Sequence, residues 1–295
     1  MSDKYPTVKD EGIRAFLIEG EKLYPADAVN FTMEQQRAFY DKYCAHFAAQ
    51  RPASVATTDF KVGEISCRRY TTANAKAKLL YLHGGGFVVG GIESHDSICA
   101  EIADQAQVEV IAVQYRLAPE HPFPAAFDDA YAVLNNIGTC IVAGDSAGAN
   151  LAAALCLKSR DVNGPKIKAQ ILIYPGLGGD MTKGSYLTQA QAPGLSTKDV
   201  IYYRDTYKGS PHKYAEPLRE TDFRNLSPAF LVAAGLDPLH DDCKDYAAKL
   251  KAAGVEAELR DEPLLVHAFL RARHMSQPAA DSFASIIAVI KRFAA

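Results

Sequence analysis

From residue 78 onward the chain alternates two hydrophobic patterns. Five short runs are almost continuously apolar: Lys78–His83 (KLLYLH), Val108–Val113 (VEVIAV), Cys140–Gly144 (CIVAG), Ala169–Tyr174 (AQILIY) and Ala229–Ala234 (AFLVAA). Runs of this length, apolar on both sides of the pleat, predict strands buried on both faces. Around them, apolar positions recur at helical spacing. Ser146–Arg160 is rich in Ala and Leu. Asp241–Ala253 brings Cys243, Tyr246, Ala247 and Leu250 together, with acids at its start and Gly254 after its end. Asp281–Phe293 does the same with Phe283, Ile286, Ile287 and Ile290. Buried strands separated by helices predict an α/β fold with a mostly parallel sheet covered on both faces.

Two stretches break this alternation. Residues 1–50 read as helical: Thr32 and Gln35 form a capping box, and Phe39, Tyr43 and Phe47 follow on one stripe. Residues 176–222, rich in Gly, Ser, Thr and Tyr, interrupt the strand–helix order. An insertion after a strand's C-terminal end sits over the crevice where such sheets bind ligands. Both stretches are therefore expected to build a helical cap, residues 1–50 as one segment and about 176–222 as an insertion in a main domain of residues 51–295. The plainer alternative for the aromatic stripe is packing on the sheet domain.

Composition narrows the picture without redirecting it. The 295 residues suffice for one large domain or two small ones, and 48% apolar with 23% charged is ordinary for a globular chain. Thirty-two basic against 35 acidic residues give a net charge of −3, no footprint for nucleic acid or for a membrane-surface helix. No apolar run approaches the ~18 residues of a membrane span. The charged opening MSDKYPTVKDEGIR lacks the apolar core of a secretory signal. The six cysteines (44, 67, 99, 140, 156 and 243) are scattered, with no CxxC pair. They read as reduced core thiols of a cytoplasmic protein. The oligomeric state, a homodimer among the options, stays open.

Chemistry concentrates around Gly144-Asp145-Ser146-Ala147-Gly148, a G-x-S-x-G pattern lying after a predicted strand and opening a predicted helix. That context makes a nucleophile elbow, where the glycines permit a tight turn and the serine holds a strained backbone. Alone the pentapeptide is weak. His83-Gly84-Gly85-Gly86-Phe87, after another strand, strengthens it as a glycine loop whose bare amides face a developing oxyanion. Gly84 and Gly85 are the expected donors, joined by the Ala147 amide after the nucleophile. A phosphate loop fails as a rival, because Val89 stands at the third glycine position and no Lys-Ser or Lys-Thr pair follows. His83 is expected to orient the loop.

The acid and base should follow in the order Ser, Asp, His. Asp237 closes the strand Ala229–Ala234, and His267 lies in a later loop. Their expected roles are general base for His267, and for Asp237 orientation of the imidazole and stabilisation of its cation. Asp241, Asp242, His240 and His274 are the rivals, the two acids having a plain explanation as first-turn charges. There is no HExxH, and His240-Asp241-Asp242-Cys243 has no partner cluster, so neither metal nor cofactor is expected.

Taken in order, HGGGF, YRLAPEHPFPAA (Tyr115–Ala126), GDSAGAN (Gly144–Asn150), DPL and HAF resemble the hormone-sensitive-lipase-like family of bacterial esterases, and LDPLHDD with VHAFLRARHMS is similar to bacterial acetyl esterases. The resemblance runs from about residue 78 to the C-terminus. It implies the α/β-hydrolase fold, a cap, and cofactor-free hydrolysis of short-chain acyl esters with acyl groups of about six carbons or fewer. It also implies Ser146, Asp237 and His267 as triad, and Gly84, Gly85 and Ala147 as oxyanion donors. Arg116 and Glu120 match a structural element of the family. The chain departs from the pattern at Ala149, in the short link Asn135–Thr139, and at Leu264 and Leu265 before His267. An amidase or acyltransferase with the same triad, or a non-catalytic small-molecule-binding relative, is the alternative. Phe39, Tyr43, Tyr186, Tyr202 and Tyr203 are the aromatic candidates for narrowing an acyl pocket.

Overall fold

A computed structural model describes residues 4–25 and 27–295; the first three residues and Ala26 of the expected cap segment lie outside it. The chain opens with helices α1 (Glu11–Glu21) and α2 (Met33–His46), then the hairpin β1 (Ala56–Val62) and β2 (Ile65–Thr71). There follow β3 (Lys78–Leu82), α3 (Asp96–Ala106), β4 (Glu109–Val113), α4 (Ala125–Ile137), β5 (Cys140–Asp145), α5 (Ala147–Asp161) and β6 (Ile167–Ile173). The stretch after β6 holds the short α6 (Ser185–Thr188) and α7 (Thr197–Tyr207). The chain closes with β7 (Ala229–Leu236), α8 (His240–Ala252), β8 (Ala257–Val266) and α9 (Gln277–Ala294).

The strands form one sheet in the order β1-β2-β4-β3-β5-β6-β7-β8, with β3 to β8 parallel and β2 antiparallel to both its neighbours. Alternate residues feed two cores. Leu79 and Tyr81 of β3 face α3 and α9, where Ile98, Ile102, Phe283, Ile286 and Ile290 meet Ile13 and Phe16 of α1. Leu80 and Leu82 face the other way, onto Phe127 and Leu134 of α4, Leu151 and Leu155 of α5, and Tyr246 and Leu250 of α8. Full burial of each such side chain contributes about 1.5–3 kcal/mol. Because α3 lies on one face and α4 on the other, strand order reverses around β3. The crevice at the C-terminal ends of β3 and β5 is thus a topological switch point.

All five expected strands are present, and three more are not marked by a continuous apolar run. β1 and β2 are a half-exposed edge hairpin, turned at Gly63-Glu64 with Gly63 at φ +59. β8 is the other edge; it carries Glu258, Arg260, Asp261 and Glu262, and tolerates Pro263 because only one side needs partners. Helix α9 starts four residues before the expected Asp281, since Ser276 caps it by accepting the Ala279 N–H and Pro278 sits in its first turn. Helix α4 runs to Ile137, leaving only Gly138 and Thr139 before β5. Ala149 is fully buried within α5.

A buried ion pair pins the segment after β8 to α3. Arg273 donates to Glu101 Oε1 at 2.5 Å and Oε2 at 3.1 Å, and to Ser97 Oγ at 3.0 Å; both charged residues are at most 5% exposed. Burial opposes ionisation of Glu101, but the Arg273 hydrogen bonds and charge, with His274, hold its carboxyl below the usual range. A depressed folded pKa stabilises above the unfolded value of about 4.3 and is lost as pH falls through the folded one. Glu101→Gln, which breaks a buried pair, should therefore cost about 3–5 kcal/mol at pH 7. Thermal melts should show the gap to wild type narrowing below about pH 4.

Candidate active site

Two turns meet at the switch point. Ser146 directly follows β5 and caps α5, with backbone at φ 53 and ψ −119, a region that costs about 1–3 kcal/mol for a residue bearing a Cβ. The turn is over-determined: Ser146 N–H donates to Ile173 O at 2.9 Å, and Asn150 N–H donates to Ser146 O at 3.1 Å. A Cβ on Gly148 would overlap the Leu82 carbonyl, and one on Gly144 would lie 2.5 Å from the Gly148 carbonyl, so both glycines are sterically required.

His267 and Asp237 arrive from the ends of β8 and β7. His267 Nδ1 is 2.6 Å from Asp237 Oδ2, and Nε2 is 2.9 Å from Ser146 Oγ. Asp237 is fully buried, and its Oδ1 accepts the Leu239 N–H at 2.9 Å. A carboxylate only accepts, so Nδ1 carries the proton and Nε2 faces Oγ as an acceptor. Leu264 and Leu265 lie near the end of β8, one exposed and one buried, ahead of the loop that carries His267.

The glycine loop differs from expectation at one position. Gly84 N–H donates to Asp145 Oδ1 at 3.0 Å, so it is committed to the protein, and Gly84 does not line the cavity. Gly85, Gly86 and Ala147 do line it. Among the described residues the Gly85 and Gly86 amides have no protein acceptor. Both have positive φ, +123 and +60; a Cβ on the first would overlap the Val89 carbonyl and on the second the Tyr203 ring. Gly86 was not singled out from the sequence. No signal in the sequence separates the three glycines; the contact of Gly84 with Asp145 does so in the fold. His83 stacks on Tyr115 at 4.1 Å and donates from Nδ1 to Gly84 O at 2.8 Å; burial pushes its pKa down to about 3, so it is neutral.

The rival residues have partners elsewhere. His240 meets Asp241 and Asp261, and His274 meets Glu101. Asp241 accepts the Ser185 N–H, and buried Asp242 accepts from Leu177 N–H, Gly179 N–H and Tyr186 O–H, so the two acids tie down the stretch after β6. Arg116 pairs with Asp129, and Glu120 with Arg37 of α2, whose guanidinium also reaches Val88 O and Ala118 O. No group of three or more His, Cys, Asp or Glu among the described residues is placed to hold a metal.

Ser146 and His267 open into a cavity of about 600 Å³. Its walls come from the N-terminal segment (Phe16, Leu17, Tyr24, Tyr40 and Tyr43) and from residues 176–222 (Tyr186, Leu195, Tyr203 and Tyr207). The two segments meet where Gln36 donates to Tyr202 OH at 3.0 Å. Of the five aromatic candidates, Tyr43, Tyr186 and Tyr203 line the cavity. Phe39 packs on Phe31, and Tyr202 is taken up by Gln36.

The sequence profile of the α/β hydrolase fold matches residues 79–271. Esterase LipI of Mycobacterium tuberculosis is 39% identical over 208 residues, 65% of this chain and 65% of LipI. Ethyl acetate hydrolase of Pseudomonas putida is 33% identical over 238 residues, 75% of this chain and 74% of that protein. The crystal structure of ESTFA aligns with a TM-score of 0.91 and 33% identity, over 96% of this chain and 99% of the other. No helix among the described residues is long and apolar enough to cross a membrane.

The residue after His267 carries a measurable strain. Ala268 sits at φ 63 and ψ 20, the left-handed region, which costs a residue with a Cβ roughly 1–2 kcal/mol. Ala268→Gly relieves it but frees the unfolded chain, a cost of about 0.4–1 kcal/mol. The expected net is a melting temperature unchanged or raised by a few degrees, about 2–4 °C per kcal/mol, with kcat within twofold of wild type. A drop in melting temperature would show that the Ala268 methyl is needed for packing.

Proposed function

The chain belongs to the hormone-sensitive-lipase-like esterases of the α/β-hydrolase superfamily, a family of carboxylic ester hydrolases, and from that premise we propose that it hydrolyses short-chain acyl esters through Ser146, His267 and Asp237. One observation carries the reading: the unbroken hydrogen-bonded path from Asp237 through His267 to Ser146 Oγ, 2.6 and 2.9 Å per step, ends in a cavity beside two glycine amides that have no acceptor among the described residues.

In this mechanism Ser146 Oγ attacks the ester carbonyl carbon while His267 Nε2 takes its proton. The tetrahedral oxyanion accepts the N–H groups of Gly85, Gly86 and Ala147, each such donor being worth about 10²–10³ in rate. Gly84 supports this set indirectly, since its own amide is spent on Asp145. The intermediate collapses as His267 returns the proton to the leaving alcohol. Water then enters and gives a proton to His267 as it attacks the acyl carbon, and the bond to Ser146 Oγ breaks as His267 returns that proton to Oγ and the acid leaves. Asp237 keeps Nδ1 protonated and stabilises the imidazolium. The N-terminal segment and residues 176–222 act as the cap. Preference for short acids is supported by the aromatic walls, with Tyr207 stacked on Phe87 at 3.7 Å, and by similarity to an ethyl acetate hydrolase.

Ser146→Ala should lower p-nitrophenyl butyrate hydrolysis by about 10⁴-fold or more, and Asp237→Asn by about 10⁴ in kcat; equal rates for Ser146→Ala and wild type would remove the assignment. Across a series of p-nitrophenyl esters, kcat/KM should peak at or below six carbons. Faster turnover of decanoate than of butyrate would contradict the short-chain preference.

A further inference from the structure

Among the described residues, the carboxylate that holds the glycine loop has no lysine or arginine in direct contact. Asp145 is 5% exposed. Its Oδ1 accepts Gly84 N–H at 3.0 Å and Tyr81 O–H at 2.9 Å, both neutral donors. Its Oδ2 lies 3.3 Å from His95 Nε2. An ionised carboxylate this deep needs a positive partner.

His95 does not supply that charge. Its Nε2 also lies 3.1 Å from Arg271 Nη2, and a guanidinium can only donate, so that nitrogen accepts from Arg271 and has no proton to give Asp145 Oδ2 on its other side. The proton therefore sits on Nδ1, 2.8 Å from Ser94 Oγ, whose own hydroxyl donates to Gly91 O. Burial pushes the His95 pKa down, in keeping with a neutral ring. The positive charge belongs to Arg271, on the far side of the imidazole.

Arg271 is 5% exposed and donates to Ser94 O at 2.8 Å. It also donates to Tyr40 OH at 3.1 Å, and its guanidinium stands 5.4 Å from the Tyr40 ring centre and 5.9 Å from that of Tyr43. Both tyrosines are on α2 and line the cavity. The groups that face this guanidinium are Tyr40, Tyr43 and Cys44 of α2, His95 and Asp145. Arg271 itself lies four residues past His267, in the short helix Phe269–Ala272.

We propose that Arg271 is a positioning residue for the ester hydrolysis: from across the neutral His95 ring its charge offsets that of Asp145, which fixes Gly84 and so aims the Gly85 and Gly86 amides, and through Tyr40 and Tyr43 it clamps α2 to the same charge. One guanidinium thus couples the seating of the N-terminal segment to the geometry of the oxyanion donors. The proposal rests on Ser146 being the nucleophile and the glycine loop stabilising its oxyanion. Removing the charge leaves Asp145 either buried unpaired or protonated. In both cases its hold on Gly84 weakens, while the bond path Ser146–His267–Asp237 keeps its own partners.

The test compares wild type, Arg271→Gln, Arg271→Lys and Ser146→Ala, with thermal melts establishing which variants are folded. Readouts are kcat and KM for p-nitrophenyl butyrate and the inhibition constant of an alkyl trifluoromethyl ketone, whose adduct carries the oxyanion. Arg271→Gln should lower kcat by at least about thirtyfold with KM within about threefold, and weaken the ketone by a similar factor to kcat/KM. Arg271→Lys, which keeps the charge but not the fork that reaches Ser94, His95 and Tyr40 together, should recover only part of kcat, to at least about threefold above Arg271→Gln. Folded Arg271→Gln with wild-type kcat and ketone affinity, or Arg271→Lys as impaired as Arg271→Gln, overturns the proposal. If Arg271→Gln does not fold, the double variant Arg271→Gln/Asp145→Asn takes its place: the amide keeps an acceptor for Gly84 and has no charge to offset, so a folded protein with kcat within about tenfold of wild type is expected, and a double variant that stays unfolded or inactive overturns the idea. Activity persisting in Ser146→Ala would instead overturn the underlying assignment of the nucleophile.

Discussion

The hydrogen bond from Gly84 N–H to Asp145 Oδ1 joins the two turns on which the site depends. One turn ends β3 and carries the glycine loop, and the other ends β5 and carries Ser146. Adjacent parallel strands bring these turns side by side, but a sheet alone does not fix loop geometry to the few tenths of an ångström that oxyanion stabilisation requires. A buried carboxylate next to the nucleophile does so, because losing its partner would leave a charge unsatisfied in the interior. The strained backbone of Ser146 is held by the same neighbourhood, with Ile173 O and the close-packed Gly144 and Gly148 leaving it no room to relax.

Much of the fold is legible in the sequence because burial on two faces writes a continuous apolar run. That is why β3 to β7 stand out, and why β1, β2 and β8 do not. Edge strands face solvent on one side, and β8 carries four charged residues that no core-strand pattern includes. Helix identity is equally plain where one face repeats Phe283, Ile286, Ile287 and Ile290. The start of α9 is set instead by Ser276 and Pro278, a local capping effect outside the apolar stripe.

For the site, residue types and chain order were enough to single out Ser146, Asp237 and His267, which the structure brings within hydrogen-bonding distance. The choice among three consecutive glycines was not legible. Gly84, Gly85 and Gly86 are identical in sequence and differ only in whether the amide is spent on Asp145 or free at the cavity. Arg271 escapes sequence reading for the same reason. Its partners lie on α2 and in the segment Glu93–His95, far apart in the chain and joined only by tertiary packing.

The proposed hydrolysis stands on a covalent acyl bond to Ser146. Its most direct test is peptide mass spectrometry of protein inactivated by a p-nitrophenyl alkylphosphonate, which forms a stable tetrahedral adduct with an activated serine. One phosphonyl group is expected on the peptide containing Ser146, appearing in step with the loss of ester hydrolysis and absent from Ser146→Ala. Full inactivation with the label on another residue, or undiminished hydrolysis after complete labelling of Ser146, would contradict it.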